Sequence, residues 1–207
     1  LNSGNQGVFN KTYATLAPAS VAAGNRYVIG NAGSQTITVT TTDATKFYGN
    51  SIDLSSNYTL ASSGFAGVSG VYLGAAGSVT SADVFATAPT VTSTGAPVTQ
   101  NVGTASITAS GGVANTGYTL AYSNAGTLTI AARPITVTAT DKTKVYSDAN
   151  PALTYTLIDN DGDSTLPNGD VLGGSLTTSV TSTTDAGTWA GSITRGSLGA
   201  TSANYDI

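Results

Sequence analysis

Cysteine, histidine, methionine and glutamate are all missing from this 207-residue chain, and charge of either sign is scarce, at 9% Asp, Glu, Lys and Arg combined. Without cysteine there are no disulfides, no thiol nucleophile and no thiolate metal site. Without histidine the commonest general base and the commonest transition-metal ligand are gone. Only seven basic residues stand against eleven acidic ones, a net charge of −4. Phosphate recognition needs clustered Lys and Arg, so nucleic acid is excluded as a partner. No apolar run of about 18 residues suggests a spanning helix, and no cationic amphipathic stretch suggests a membrane surface.

What the chain does contain is a phrase written twice. Residues 135–147 read ITVTATDKTKVYS, and residues 37–49, 98 positions earlier, read ITVTTTDATKFYG, with nine of thirteen positions identical. The phrase alternates: Ile135, Val137 and Ala139 face one way, Thr136, Thr138 and Thr140 the other, which is the period of a half-buried strand with β-branched residues outside. LTYTL at 153–157 and TLTI at 127–130 alternate in the same manner, and turn signals separate such runs: TGAP at 94–97, SNAG at 123–126, DNDGD at 159–163 and PNGD at 167–170. No stretch of about 12 residues has helical periodicity, and the lack of Glu lowers helix propensity further. Hydrophobic content of 40% predicts a folded chain despite 25 glycines. The fold class read from this pattern is all-β.

The repetition continues beyond the phrase. Asp83-Val84-Phe85 matches Asp170-Val171-Leu172, GTASIT at 103–108 matches GTWAGSIT at 187–194, and Tyr118 and Leu120 match Tyr205 and Ile207. The offset falls from 98 to 87, which places about 11 extra residues in the first copy, in the SGFAGVSGVYLGAAG stretch at 63–77. RYVIGNAGS at 26–34 has the look of a preceding copy's tail. The expected organisation is a tail over 1–35, a first repeat with a loop insertion over 36–132, and a second repeat over 133–207 without a counterpart of the closing TLTI strand. The expected architecture is a tandem of β-sandwich-like (Ig-like) domains, with a β-grasp-like arrangement as the alternative. The opening residues LNSGNQGVFNKTY have no basic start and no apolar core, so they do not read as a signal peptide.

The second copy, RPITVTATDKTKVYSDANPALTYTL followed by NGDVLGGSL, DAGTWAGSI and NYDI, resembles the bacterial MBG/YDG-type repeat. It departs from that pattern at Ser147, where the family prefers Gly, and at Trp189, where it prefers Tyr. The resemblance implies a non-enzymatic stalk or adhesion module of a large secreted or cell-surface bacterial adhesin. Its partners would be neighbouring repeats of the same protein. A filament subunit joined by strand complementation through residues 1–35, and a module binding matrix polysaccharide or like chains, are the alternatives.

Few side chains carry chemistry. Asp159, Asp161, Asp163 and Asp170 fall at positions 1, 3, 5 and 12 of a calcium-loop spacing, so Ca²⁺ is the one cofactor the pattern admits. Position 6 is Ser164 instead of Gly, and a polar hairpin loop is the competing reading. Lys46 and Lys144 occupy equivalent positions and read as solvated strand-end charges, with isopeptide cross-linking as the sharper alternative. Asn10 and Asn57 begin N-x-T sequons. Trp189, Tyr146, Tyr155 and Tyr205 read as core aromatics, with a sugar-stacking platform as the alternative.

Overall fold

A computed structural model describes residues 6–9, 26–29, 35–62, 81–115 and 118–207. Asn10, the inserted stretch 63–77 and most of the 1–35 tail lie outside the described residues. The described residues are nearly all β, arranged in several small sheets with a sandwich-like character, and their one α-helix is the single turn Ser81–Val84. Two compact units are present. Unit 1 comprises the described residues up to Ala44 with those of Asp53–Gly95 and Ala105–Leu128; unit 2 comprises Thr45–Ile52, Ala96–Thr104 and Thr129–Ile207.

Unit 1 is organised by the first copy of the repeated phrase. Strand Gln35–Thr41 sits between Tyr118–Ser123, parallel to it, and Tyr58–Ser62, antiparallel to it. Alternation places Ile37 and Val39 inward, and both are fully buried. Each such side chain contributes about 1.5–3 kcal/mol by leaving water. Thr41, next on the inner face, is buried as well, and its hydroxyl is satisfied twice: it donates to the Ile107 carbonyl (3.0 Å) and accepts from the Gly126 amide (2.9 Å). A second sheet pairs Thr90–Ser93 with Gly103–Ser110, burying Val91, Ile107 and Ala109.

Unit 2 repeats the scheme with the second copy. Strand Arg133–Ala139 sits between Tyr205–Asp206, parallel, and Tyr155–Asp159, antiparallel. The register is the same: Tyr118 faces Gln35 in the first copy, and their counterparts Tyr205 and Arg133 face each other in the second. The parallel ladder runs for six residue pairs in the first copy and two in the second. Ile135 is buried, Val137 only half-buried, and two short ladders (Leu172–Gly173 with Gly199–Ala200, Thr177–Thr178 with Ile193–Thr194) form separate two-stranded sheets. Strand Ala44–Phe47 neighbours Thr127–Ala131, whose Leu128 and Ile130 are buried while Thr127 and Thr129 are exposed.

Candidate functional site

The densest polar cluster in unit 2 is built around Arg133. Two-residue alternation puts Arg133 on the same face of its strand as Ile135, so the guanidinium points inward and is 3% exposed. A buried charge persists only when paired and hydrogen-bonded. Nε donates to Asp159 Oδ2 (2.9 Å), Nη2 lies 2.7 Å from both Asp159 Oδ2 and Asp161 Oδ2, and Nη1 donates to the Tyr48 carbonyl (3.2 Å) and to Asn50 Oδ1. Asp159 spends its second oxygen on the amides of Asp161 and Asp163, both at 2.9 Å. Burial works against the Asp159 charge, but the Asp163 amide, the Arg133 guanidinium and the Asp161 amide outweigh it and hold the carboxyl below its usual range.

Asp170 belongs to a different cluster. Its Oδ2 accepts from Tyr205 Oη (2.7 Å) and Tyr48 Oη (3.0 Å), and the two rings meet edge to face with centroids 5.5 Å apart. Burial, with the adjacent Asp170 carboxylate, pushes the Tyr205 phenol up and keeps it protonated. The four residues of the calcium-loop spacing are therefore divided. Asp159 and Asp161 share Arg133, Asp170 ties two tyrosines, and Asp163 is exposed. Among the described residues no three carboxylates converge on one point.

The two equivalent lysines act as ties, which corrects their reading as solvated strand-end charges. Lys46 is buried, and Nζ donates to three carbonyls: Pro97 (2.6 Å), Ala96 (2.8 Å) and Asn50 (3.2 Å). Burial lowers the proton affinity of its ammonium. Lys144 repeats the pattern with Thr181 (2.7 Å) and Asp148 (3.0 Å), again bonding the carbonyl four residues on and one from a distant loop. In each case the ammonium ties its own loop to a distant one, sharing the Pro97 carbonyl with the Gln100 amide and the Thr181 carbonyl with the Thr184 amide. Both loops turn through the left-handed region at the same place, Gly49 (φ 86°) and Ser147 (φ 74°).

The aromatics divide too. Tyr205 is in the core as expected, whereas Tyr146 (59% exposed), Trp189 (52%) and Tyr155 (38%) are not. Tyr146 is the counterpart of Tyr48, which owes its burial to Tyr205 and Asp170. Among the described residues no ring packs against Tyr146. Instead, a groove of about 670 Å³ opens between 139–146 and 184–193, with Lys144, Tyr146, Trp189 and Ile193 among its walls. Asn57, of the described sequon, is half-buried with its side-chain amide on the Asp43 carbonyl (3.4 Å).

Sequence reasoning missed Arg133 and Asn204. The signal for Arg133 was present: an arginine in phase with the inward face of an alternating strand requires buried acceptors, and DNDGD supplies them. Nothing local marks Asn204, whose carbonyl accepts from the Arg133 amide (2.8 Å) and whose side chain joins Val102 N (3.0 Å) and Asn101 Oδ1 (2.9 Å).

One phrase whose opening strand takes the same place twice, between a parallel and an antiparallel neighbour in sandwich-like sheets tied by Lys, Arg, Asp and Tyr, defines an all-β repeat protein. Residues 135–207, about a third of the chain, match the family model described as MBG domain (YGX type), in agreement with the resemblance read from the second copy. No curated protein and no solved structure matches the chain.

Proposed function

We propose that this chain is a non-enzymatic structural module of an extracellular or cell-surface bacterial adhesin, which spaces or links other regions and has neighbouring repeats of its own kind as partners. The observation that carries this reading is the duplication of the three-stranded arrangement together with its lysine tie. The buried polar groups of unit 2 are used up in holding loops and strands. Arg133, Asp159, Asp170, Tyr48 and Lys46 all bond one another or the backbone, which is the arrangement of a stiff module. The MBG match over 135–207 supports the adhesin-type assignment. Among the described residues no helix is long and apolar enough to cross a membrane.

The test is surface labelling of the source bacterium with antibody raised against the 207-residue chain, alongside an attachment assay of a strain lacking the gene. Labelling of intact cells and reduced adhesion support the reading. Labelling only after lysis, with unchanged adhesion, overturns it.

A further inference from the structure

Unit 2 takes in two segments of the first copy, Thr45–Ile52 and Ala96–Thr104. Lys46 joins them: its ammonium holds the Asn50 carbonyl of one and the Ala96 and Pro97 carbonyls of the other, so the two loops are presented together. The second copy meets this pair of loops with side chains from three places. Arg133 Nη1 donates to the Tyr48 carbonyl (3.2 Å) and to Asn50 Oδ1, and Asp170 Oδ2 accepts from Tyr48 Oη (3.0 Å). Asn168 Nδ2 donates to the Val98 carbonyl (3.3 Å). Asn204 accepts from the Val102 amide (3.0 Å) and donates to Asn101 Oδ1 (2.9 Å). The fit is close as well: a Cβ on Gly49 would stand 2.4 Å from Pro167 Cγ.

The same positions of the first copy carry a partly different set. Asp170 and Tyr205 recur in sequence as Asp83 and Tyr118. Arg133 is replaced by Gln35 and Asn204 by Gly117, while Asp159, which faces Ile135 in its ladder, is replaced by Ser62, which faces Ile37. A buried guanidinium needs its carboxylate, so the arginine and the aspartate change together. The groups that hold the loop's tyrosine are thus common to both copies, and the groups that read the rest of the loops are not. Differences of this kind discriminate between related partners, because the wrong one leaves buried groups unpaired or meets a clash.

We propose that Arg133, Asn168, Asp170, Asn204 and Tyr205, with Asp159 behind the arginine, form a socket that selects which repeat stands before this one. Its partner is a repeat whose tied loop reads Lys-x-Tyr-Gly-Asn, as at 46–50. Asp170 and Tyr205 take the tyrosine, Arg133 takes the asparagine and the tyrosine carbonyl, and Asn204 fixes the second loop. Glycine lets the loop pass Pro167. A loop of the type KVYSD, as at 144–148, does not fit, because its serine would set a Cβ against the proline ring. This selection rests on the reading of neighbouring repeats as partners. It is tested on the purified chain, so its failure leaves the cell-surface assignment to the labelling experiment.

The experiment is hydrogen exchange with mass spectrometry on the full 207-residue chain, reading 46–52 and 97–103 against strand residues 135–139. Giving the socket the first copy's residues, Arg133→Gln with Asp159→Ser, should speed exchange in 46–52 about fivefold or more and leave 135–139 unchanged. Asn50→Ala should act similarly in the native chain and add nothing once the socket is exchanged, since both changes remove the same contact. Gly49→Ser should loosen 46–52, and Pro167→Gly in the same chain should restore its protection. Asn204→Gly should loosen 97–103, and it keeps the test decisive if the Arg133 and Asp159 exchange does not fold. The proposal is overturned if the Asn50 and socket effects multiply, if Pro167→Gly rescues nothing, or if Asn204→Gly leaves 97–103 protected. Loss of protection spread evenly over unit 2 also overturns it, because the socket residues would then hold only their own fold.

Discussion

Ser147 and Gly49 stand at the same point of two equivalent loops and adopt the same left-handed backbone, at φ 74° and 86°. An L-residue with a Cβ pays about 1–2 kcal/mol for that conformation. Glycine there loses about 0.5–1 kcal/mol through the greater freedom of the unfolded chain. The difference predicts that Ser147→Gly stabilises unit 2 by about 0.5–1 kcal/mol, a rise in Tm of about 1–4 °C for a chain of this size. The exposed Ser147 side chain makes no hydrogen bond among the described residues, and its amide bond to the Ser182 carbonyl (3.1 Å) survives the change. The reciprocal change behaves oppositely. A Cβ on Gly49 would stand 2.4 Å from Pro167 Cγ, so Gly49→Ala combines strain with overpacking and costs about 2–4 kcal/mol. The assay is urea unfolding followed by Trp189 fluorescence, with Ser147→Ala as the control that keeps the Cβ. The reasoning is refuted if Ser147→Gly is no more stable than Ser147→Ala.

Arg133→Leu strands the buried Asp159 carboxylate and should cost about 3–5 kcal/mol, whereas the pair Arg133→Leu with Asp159→Leu should recover most of it; chemical denaturation measures both. Because the folded Asp159 carboxyl is held below its unfolded value, its contribution is complete above that value and is lost as pH falls through the folded one. Unfolding midpoints should therefore drop below about pH 4 in the native chain and drop less in the double variant. Lys46→Met removes the ammonium from three carbonyls, of which that of Pro97 keeps the Gln100 amide, and should cost about 2–4 kcal/mol, against about 1 kcal/mol or less for Lys144→Met, whose site is more open; paired urea curves decide this. Millimolar calcium should shift the Tm by less than about 1 °C, since Asp159 and Asp161 are already bound to Arg133; a larger rise would show that the cation displaces the guanidinium.

The all-β class and the repeated strand were legible because alternation is a local signal: Ile37, Val39 and Ile135 are buried as their phase requires. The equivalence of the two sheets was legible as well, since the sequence offsets of 98 and 87 match the pairing of Gln35 with Tyr118 and of Arg133 with Tyr205. Side-chain roles were less so. Lys46 and Lys144 look like edge charges in a strand pattern, and only the distant carbonyls of Ala96, Pro97 and Thr181 turn them into ties. Asp spacing suggested a calcium loop, but an inward arginine 26 residues upstream takes Asp159 and Asp161, and Tyr48 and Tyr205, remote in sequence, take Asp170. Tyr48 and Tyr146 are the same letter in the same phrase, and their burial differs because burial depends on residues more than a hundred positions away from Tyr48.

That last contrast is where the account is most exposed. Hydrogen exchange of the intact chain, followed by mass spectrometry, compares segments 46–52 and 144–150, which hold equivalent positions in the repeated phrase and share its Lys and Tyr but differ in being tied into a sheet. The account predicts exchange in 46–52 slower by about tenfold or more, because the Tyr48 amide is bonded to Ala131 under a packed Tyr205 while Tyr146 stands open. Equal rates in the two segments would contradict it.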